Sequence, residues 1–156
     1  MIRDFCVADL SAVVALSLRA WAPVFESLRG VLGPALFDRL QPDWPEQQAA
    51  AVRDTCGATD VRVWVAEVDS VVAGFVAARL ADSGIGEIYM IAVDPPFQRR
   101  GVASSLIEVA NRWFADNGMT VAMVETGGDP GHAPARDLYE HNGFTLLPIA
   151  RYFKLL

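Results

Sequence analysis

The segment IYMIAVDPPFQRRGVASSLIEVANRWF constrains this chain more than any other. It reads as a buried strand, Glu87 to Val93, stopped at Asp94-Pro95-Pro96, then a helix beginning at Arg99-Arg100-Gly101-Val102-Ala103. Two consecutive prolines cannot continue a sheet interior, because neither supplies a ladder N–H. Beyond them Val102, Leu106, Ala110 and Trp113 keep one helical face, with Ala103, Ile107 and Phe114 beside them. A helix start of this kind is an anion site, since its first N–H groups lack intrahelical partners and carry partial positive charge. Gly101 and Ala103 are small enough for a phosphate to approach the main chain. Arg99 and Arg100 add charge, and Ser104 and Ser105 add hydroxyl donors. Cations normally sit at the other end of a helix, so this arginine pair is informative; a solvated charged cap is the plainer alternative. No Gly-Lys-Ser/Thr follows and the GxGxxG spacing is absent, so neither a Walker loop nor a dinucleotide fingerprint is present.

The rest of the chain supplies a mixed α+β frame for that segment. IRDFCVADL reads as a short strand ending at Asp9, which can cap a helix carrying Val13, Leu16, Ala20 and Trp21. Gly30, Gly33 and Pro34 break that pattern, and Asp43-Trp44-Pro45-Glu46 starts a second helix that runs to about Gly57. VRVWVAEV (61–68) and VVAGFVAARL (71–80) are strands joined by a tight turn at Asp69-Ser70. MTVAMVE (119–125) is a further strand, TGGDPGHAP a loop, and Pro134 opens a short helix ending at Asn142-Gly143. Phe144 to Phe153 reads as one or two final strands, broken at Pro148. The order is strand, two helices, three strands, helix, strand, helix, strand, in one domain spanning residues 1–156.

With 53% apolar residues the chain can bury a real core. Its net charge of −6 argues against a nucleic-acid binder and fits an amine-bearing partner. Cys6 and Cys56 are too few for a disulfide scaffold, so a reducing, cytoplasmic setting is expected. No uninterrupted apolar run has membrane-spanning length, so no membrane partner is expected. Leu10 to Leu18 faintly resembles a signal peptide, but Asp4 and Asp9 stand where its positive region should be.

Gln98-Arg99-Arg100-Gly101-Val102-Ala103 matches the Gln/Arg-x-x-Gly-x-Gly/Ala motif of the GNAT superfamily of N-acetyltransferases. The preceding IAVDP and the later ARDLYEHNGF (135–144) match as well, and from about residue 61 onward the chain resembles that family. The resemblance implies a mostly antiparallel central sheet flanked by helices, with a splayed strand pair forming a groove for acetyl-CoA. In that groove the pantetheine arm would pair with the backbone of Ile91, Ala92 and Val93. The pyrophosphate would rest on the amides from Arg100 through Gly101, Val102 and Ala103 to Ser104, with Gln98 and Arg99 beside them. No metal is implied. The acetyl group would pass by direct attack of a neutral amine on the thioester. Glu87 or Glu125 would accept the proton, a main-chain N–H near Val93 would hold the oxyanion, and Tyr139 would protonate the departing thiolate. Many relatives carry Asn seven residues before the Tyr, where this chain has His132. That imidazole can replace the amide, contact a CoA phosphate, or join acid–base work. Arg136 can reach CoA phosphates or pair with Asp137 or Glu140.

The acceptor pocket is expected from residues 19 to 45 and the loops at 81–86 and 146–151. Trp21, Phe25, Phe37 and Trp44, with Glu26 or Asp43, could hold an ammonium there. The acceptor is then a small-molecule or peptide amine. A non-catalytic acyl-CoA-binding or regulatory domain is the main alternative, and a nucleotide-binding module a remoter one. The last strands are free to exchange or pair across a homodimer, which an edge strand permits.

Overall fold

The computed structural model describes residues 1–156. Five strands form one sheet in the order β1-β2-β3-β4-β5: Ile2–Asp4, Val61–Val68, Val71–Leu80, Ile85–Val93 and Val121–Val124. The first three pairings are antiparallel, and β4 with β5 is parallel. The β2–β3 hairpin closes through Asp69 and Ser70, both at positive φ, as a two-residue turn requires. Side-chain alternation divides the core. Val63, Val65, Phe75, Ala77 and Ala92 face α1 (Leu10–Leu32) and α3 (Trp44–Gly57). Trp64, Ala66, Val76, Ala78, Ile88 and Val93 face α4 (Val102–Asp116), whose Leu106, Ile107, Ala110 and Phe114 complete that layer. The helical face read from the sequence is therefore the buried one.

Two irregularities position the site. Met90 pairs with Ala77 and Ile88 with Ala78, so Tyr89 is an extra residue bulged out of β4. The β4–β5 ladder ends at Ile88 opposite Val124, and from Tyr89 to Val93 the β5 side of β4 is unpaired. Gly86 lets β4 lie against Phe114, since a Cβ there would overlap the ring.

Some expectations change. Asp9 and Asp43 stand at helix starts, but neither side chain caps its helix. The Asp9 carboxylate instead takes Arg3 (2.8 and 2.9 Å) and the Cys6 N–H. The Arg3 guanidinium holds the Asp9 carboxyl well below the usual range, against the cost of burial. A short helix, α2 (Pro34–Leu40), forms where the glycines and proline suggested only a break. It is entered at Gly33, whose φ of 79° suits glycine, with Pro34 at its first turn. Residues 144–156 form no strand. Leu146, Leu147, Ile149 and Tyr152 are exposed, so that apolar run has no partner within the chain. Within Val7–Leu32 an 18-residue window has a mean hydropathy of 1.4, long and apolar enough to cross a membrane, and Val13 and Leu16 of that helix pack against the sheet. Cys6 is exposed, and burial pushes the Cys56 thiol up to about 11.

Candidate active site

The gap between β4 and β5 opens into a cavity of about 970 Å³. Its walls come from the end of β4, the start of α4, the segment after β5, α5 (Ala133–His141) and α1. Asp94 N–H donates to Ala73 O at 2.8 Å, across to β3. Strand alternation then turns the N–H and C=O of Val93 and of Ile91 toward the open side. Gln98 Nε2 donates to Val93 O at 2.9 Å, leaving the Val93 N–H as the free group at that point. The turn is held from outside by Arg19 of α1, which grips the buried Asp94 through two bonds of 2.8 and 2.7 Å.

At the start of α4, Gly101 has a φ of 81° and no protein atom within 4 Å of where a Cβ would stand. The first bond along that helix joins Ser105 N–H to Gly101 O at 3.0 Å. The amides of Val102, Ala103 and Ser104 are thus uncommitted and face a cavity they help to line. This is a built anion cradle with room for a diphosphate above it. Ser104 Oγ accepts from Asn142 Nδ2 at 3.1 Å, tying the cradle to the end of α5.

The expected site residues are distributed unevenly. Ile91, Ala92, Val93, Gln98, Arg99, Gly101, Val102, Ala103, Ser104, Glu125, His132 and Tyr139 all line the cavity. Arg100 is outside that lining, with its guanidinium 5.8 Å from the Phe97 ring centre. Arg136 is also outside, because it clamps the loop before α5 by donating to Gly127 O at 2.6 Å and Asp129 O at 2.9 Å. Those bonds remove it from phosphate contact in this arrangement. Glu87 lies outside as well: Arg79, opposite it on β3, holds its carboxylate at 2.5 Å while stacking 4.4 Å from the Tyr89 ring centre.

Tyr139 packs edge-on against Phe144, 6.0 Å between ring centres. Burial pushes its phenol up to about 12, so it stays protonated at neutral pH. Asp129, Ser27 and His132 form a group that the sequence did not reveal. Asp129 Oδ2 accepts from Ser27 Oγ at 2.9 Å and from Gly131 N–H at 3.1 Å, while Asp129 Oδ1 bonds His132 Nδ1. Burial alone would raise the Asp129 carboxyl, but the bonds from His132 and Ser27 outweigh it and hold the group below its ordinary value.

The acceptor region divides in two. Ala20, Trp21, Pro23, Val24 and Gln48 line the main cavity. Phe25, Glu26, Phe37, Asp43 and Trp44 surround a second cavity of about 400 Å³, in which Phe25 and Trp44 stack at 4.5 Å. The loops at 81–86 and 146–151 line neither.

The family model for the Acetyltransferase (GNAT) family matches residues 27–144. A mycothiol acetyltransferase from Thermomonospora curvata is 32% identical over 114 residues, covering 69% of this chain and 37% of the relative. One from Tsukamurella paurometabola is 29% identical over 143 residues, covering 88% of this chain and 45% of the relative. The chain therefore spans less than half the length of these relatives. Among solved structures, the PaiA N-acetyltransferase from Thermoplasma acidophilum, in complex with coenzyme A, superimposes with a TM-score of 0.71 at 15% identity, covering 96% of this chain and 92% of the other.

Proposed function

Since this chain belongs to the Acetyltransferase (GNAT) family, we propose that it is an acetyl-CoA-dependent N-acetyltransferase acting on a primary amine of a small molecule or peptide. The observation that carries this reading is the gap between β4 and β5, which leads straight to the free amides of α4. The cosubstrate's diphosphate binds at Val102, Ala103 and Ser104, with Arg99 adding charge. Its arm pairs with the open edge of Ile91 to Val93, which sets the thioester beside Tyr139.

The amine nitrogen bonds to the thioester carbonyl carbon, and the Val93 N–H stabilises the oxyanion that develops. As the C–S bond breaks, Tyr139 gives its proton to the sulfur, so CoA leaves as a thiol. An ammonium acceptor must lose a proton before attack. That proton leaves on the β5 side, where Glu125 lies at the cavity wall; Glu87 is occupied by Arg79. That the relatives are mycothiol acetyltransferases supports a small-molecule acceptor. The apolar wall of Trp21, Pro23 and Val24 suits an acceptor with an uncharged flank next to its amine. Two unpaired cysteines fit a cytoplasmic setting.

The test is calorimetry with CoA, followed by thiol release from acetyl-CoA across a panel of amines. Saturable CoA binding and thiol release with some amine are expected. No heat with CoA sinks the reading; tight CoA binding with no amine acetylated favours a non-catalytic acyl-CoA-binding domain.

The same reading includes a homodimer. The outer edge of β5 is unpaired, its Val121 and Met123 are exposed, and residues 144–156, which form no strand, expose Leu146, Leu147 and Ile149. The tail of one copy can add as a strand to β5 of the other. Removing residues 146–156 is expected to convert a dimer to a monomer in light scattering. A full-length monomer at micromolar concentration refutes the exchange.

A further inference from the structure

The groove assigns a carrier and an acid but leaves the first proton acceptor open. The segment between β5 and α5 supplies one. His132 lines the main cavity and is largely buried, 18% exposed at its side chain. Its Nδ1 faces Asp129 Oδ1, and a carboxylate only accepts, so Nδ1 carries a proton and, in the neutral ring, Nε2 holds the lone pair. Asp129, 7% exposed at its side chain, cannot swing away. Its other oxygen is fixed by Ser27 Oγ from α1 and by Gly131 N–H. Gly131 N–H also donates to Ser27 Oγ at 2.9 Å.

The backbone is shaped around this group. A Cβ on Gly127 would stand 2.6 Å from His132 Nδ1, and one on Gly131 would stand 2.5 Å from Ser27 Cβ. Arg136 clamps the carbonyls of Gly127 and Asp129 from the other side. Four separate features, Ser27, two glycines and Arg136, therefore serve to hold one imidazole at the cavity wall. A histidine that merely filled space would need none of them.

We propose that His132, oriented by Asp129, is the base that takes the proton from the acceptor ammonium at Nε2. This rests on the acetyltransferase reading and deepens it. The proton passes from the ammonium nitrogen to Nε2, and the freed lone pair forms the C–N bond. The C–S bond breaks, Tyr139 protonates the sulfur, and the attacking nitrogen gives up its second proton as the neutral amide forms. Of the two protons lost by nitrogen, one restores Tyr139 and the other goes to solvent, returning His132 to its starting state. The net products are the acetamide, CoA thiol and a proton. Asp129 is a positioning residue: it fixes the tautomer and stabilises the imidazolium that forms. The other titratable groups lining this cavity are Tyr89 on β4, Arg99 before α4, Glu125 after β5, and Asp137, Tyr139 and His141 on α5. Glu125, exposed at the wall, then serves to draw the ammonium in and pass the proton outward.

The test compares His132→Gln, His132→Ala, Asp129→Asn and Glu125→Gln with wild type, using the amine that gives most thiol release. In His132→Gln, kcat/KM for the amine is expected to fall about 100- to 1,000-fold. The acidic limb of its pH profile should vanish, with the Kd for CoA within about twofold. Added imidazole should restore turnover to His132→Ala in proportion to its free-base concentration, which a packing role would not allow. Asp129→Asn should lose turnover less severely and shift the acidic limb. Loss of that limb in Glu125→Gln alone, or a His132→Gln variant altered only in CoA affinity, overturns the proposal. A readout independent of turnover is the imidazole ¹⁵N spectrum of the wild type, where a single Nδ1–H tautomer at His132 is expected. An Nε2–H tautomer refutes the assignment even if no amine in the panel is acetylated, and so separates this failure from failure of the acetyltransferase reading.

Discussion

Replacing Tyr139 by Phe removes one oxygen from the cavity wall and isolates the proton-donor step. The energetics can be set from two groups in this protein. Burial moves the Tyr139 phenol from 10.0 to about 12, and it moves the Cys56 thiol from 9.0 to about 11. A thiolate leaving beside Tyr139 is desolvated as well, so burial raises both groups and keeps their ordinary order, phenol above thiol. Proton transfer to the departing sulfur is thus only slightly uphill. Tyr139→Phe should lower kcat about 100- to 1,000-fold while leaving the Kd for CoA within about threefold. The assay is thiol release under saturating acetyl-CoA, with calorimetry for CoA. Stability gives a check of opposite sign. Between pH 10 and 12 the unfolded chain ionises this phenol and the fold does not, so the folded state is expected to weaken there by up to roughly 2–3 kcal/mol. Wild type should show that alkaline loss, and Tyr139→Phe should show less of it. Full turnover in the Phe variant refutes the acid role, and an unchanged alkaline stability profile refutes the burial argument.

Gly86→Ala should destabilise by about 1–3 kcal/mol, because its methyl group falls on the Phe114 ring; thermal melts should show partial rescue by Phe114→Leu. Gly101→Val should cost roughly 1–2 kcal/mol from its left-handed φ and raise the Kd for CoA at least tenfold, read by calorimetry, because the branched side chain projects into the open cradle. An unchanged Kd would remove the diphosphate from that position.

Most of the sheet was legible because its determinants are local. β2 and β3 are apolar runs buried on both faces and joined by a two-residue turn, and both fall on the expected residues. The α4 face read from spacing is the face that packs. The last strands were not legible. FTLLPIARYF has strand composition, yet a strand needs an edge to pair with, and residues 144–156 are not seated on the chain's own β5. The cradle at Gly101 followed from motif and helix physics. The Ser27–Asp129–His132 group did not, because Ser27 lies 102 residues from Asp129 in sequence. The only local hint was the GGDPGH run, whose Gly127 and Gly131 now have a packing reason.

Glu87 lies on the expected strand, beside a partner that spacing alone does not show. A carboxylate on the strand beside a thioester groove is a reasonable proton acceptor, and sequence spacing cannot say what faces it across the sheet. The bulge at Tyr89 shifts the register by one, placing Glu87 opposite Arg79 rather than at the cavity. Its carboxylate is then 20% exposed at the side chain and held by a guanidinium that also stacks on Tyr89. A base so engaged would have to break an ion pair to accept a proton, whereas His132 has an uncommitted Nε2. Glu87→Gln should therefore keep turnover within about threefold and retain the acidic limb, because its carboxylate is engaged by Arg79 and does not line the cavity. Glu125→Gln should instead raise KM for a cationic amine severalfold with little change in kcat, since its part is attraction at the wall. If Glu87→Gln alone abolished the acidic limb, the Arg79 pair would have to open during turnover, and the argument from its closed geometry would fail.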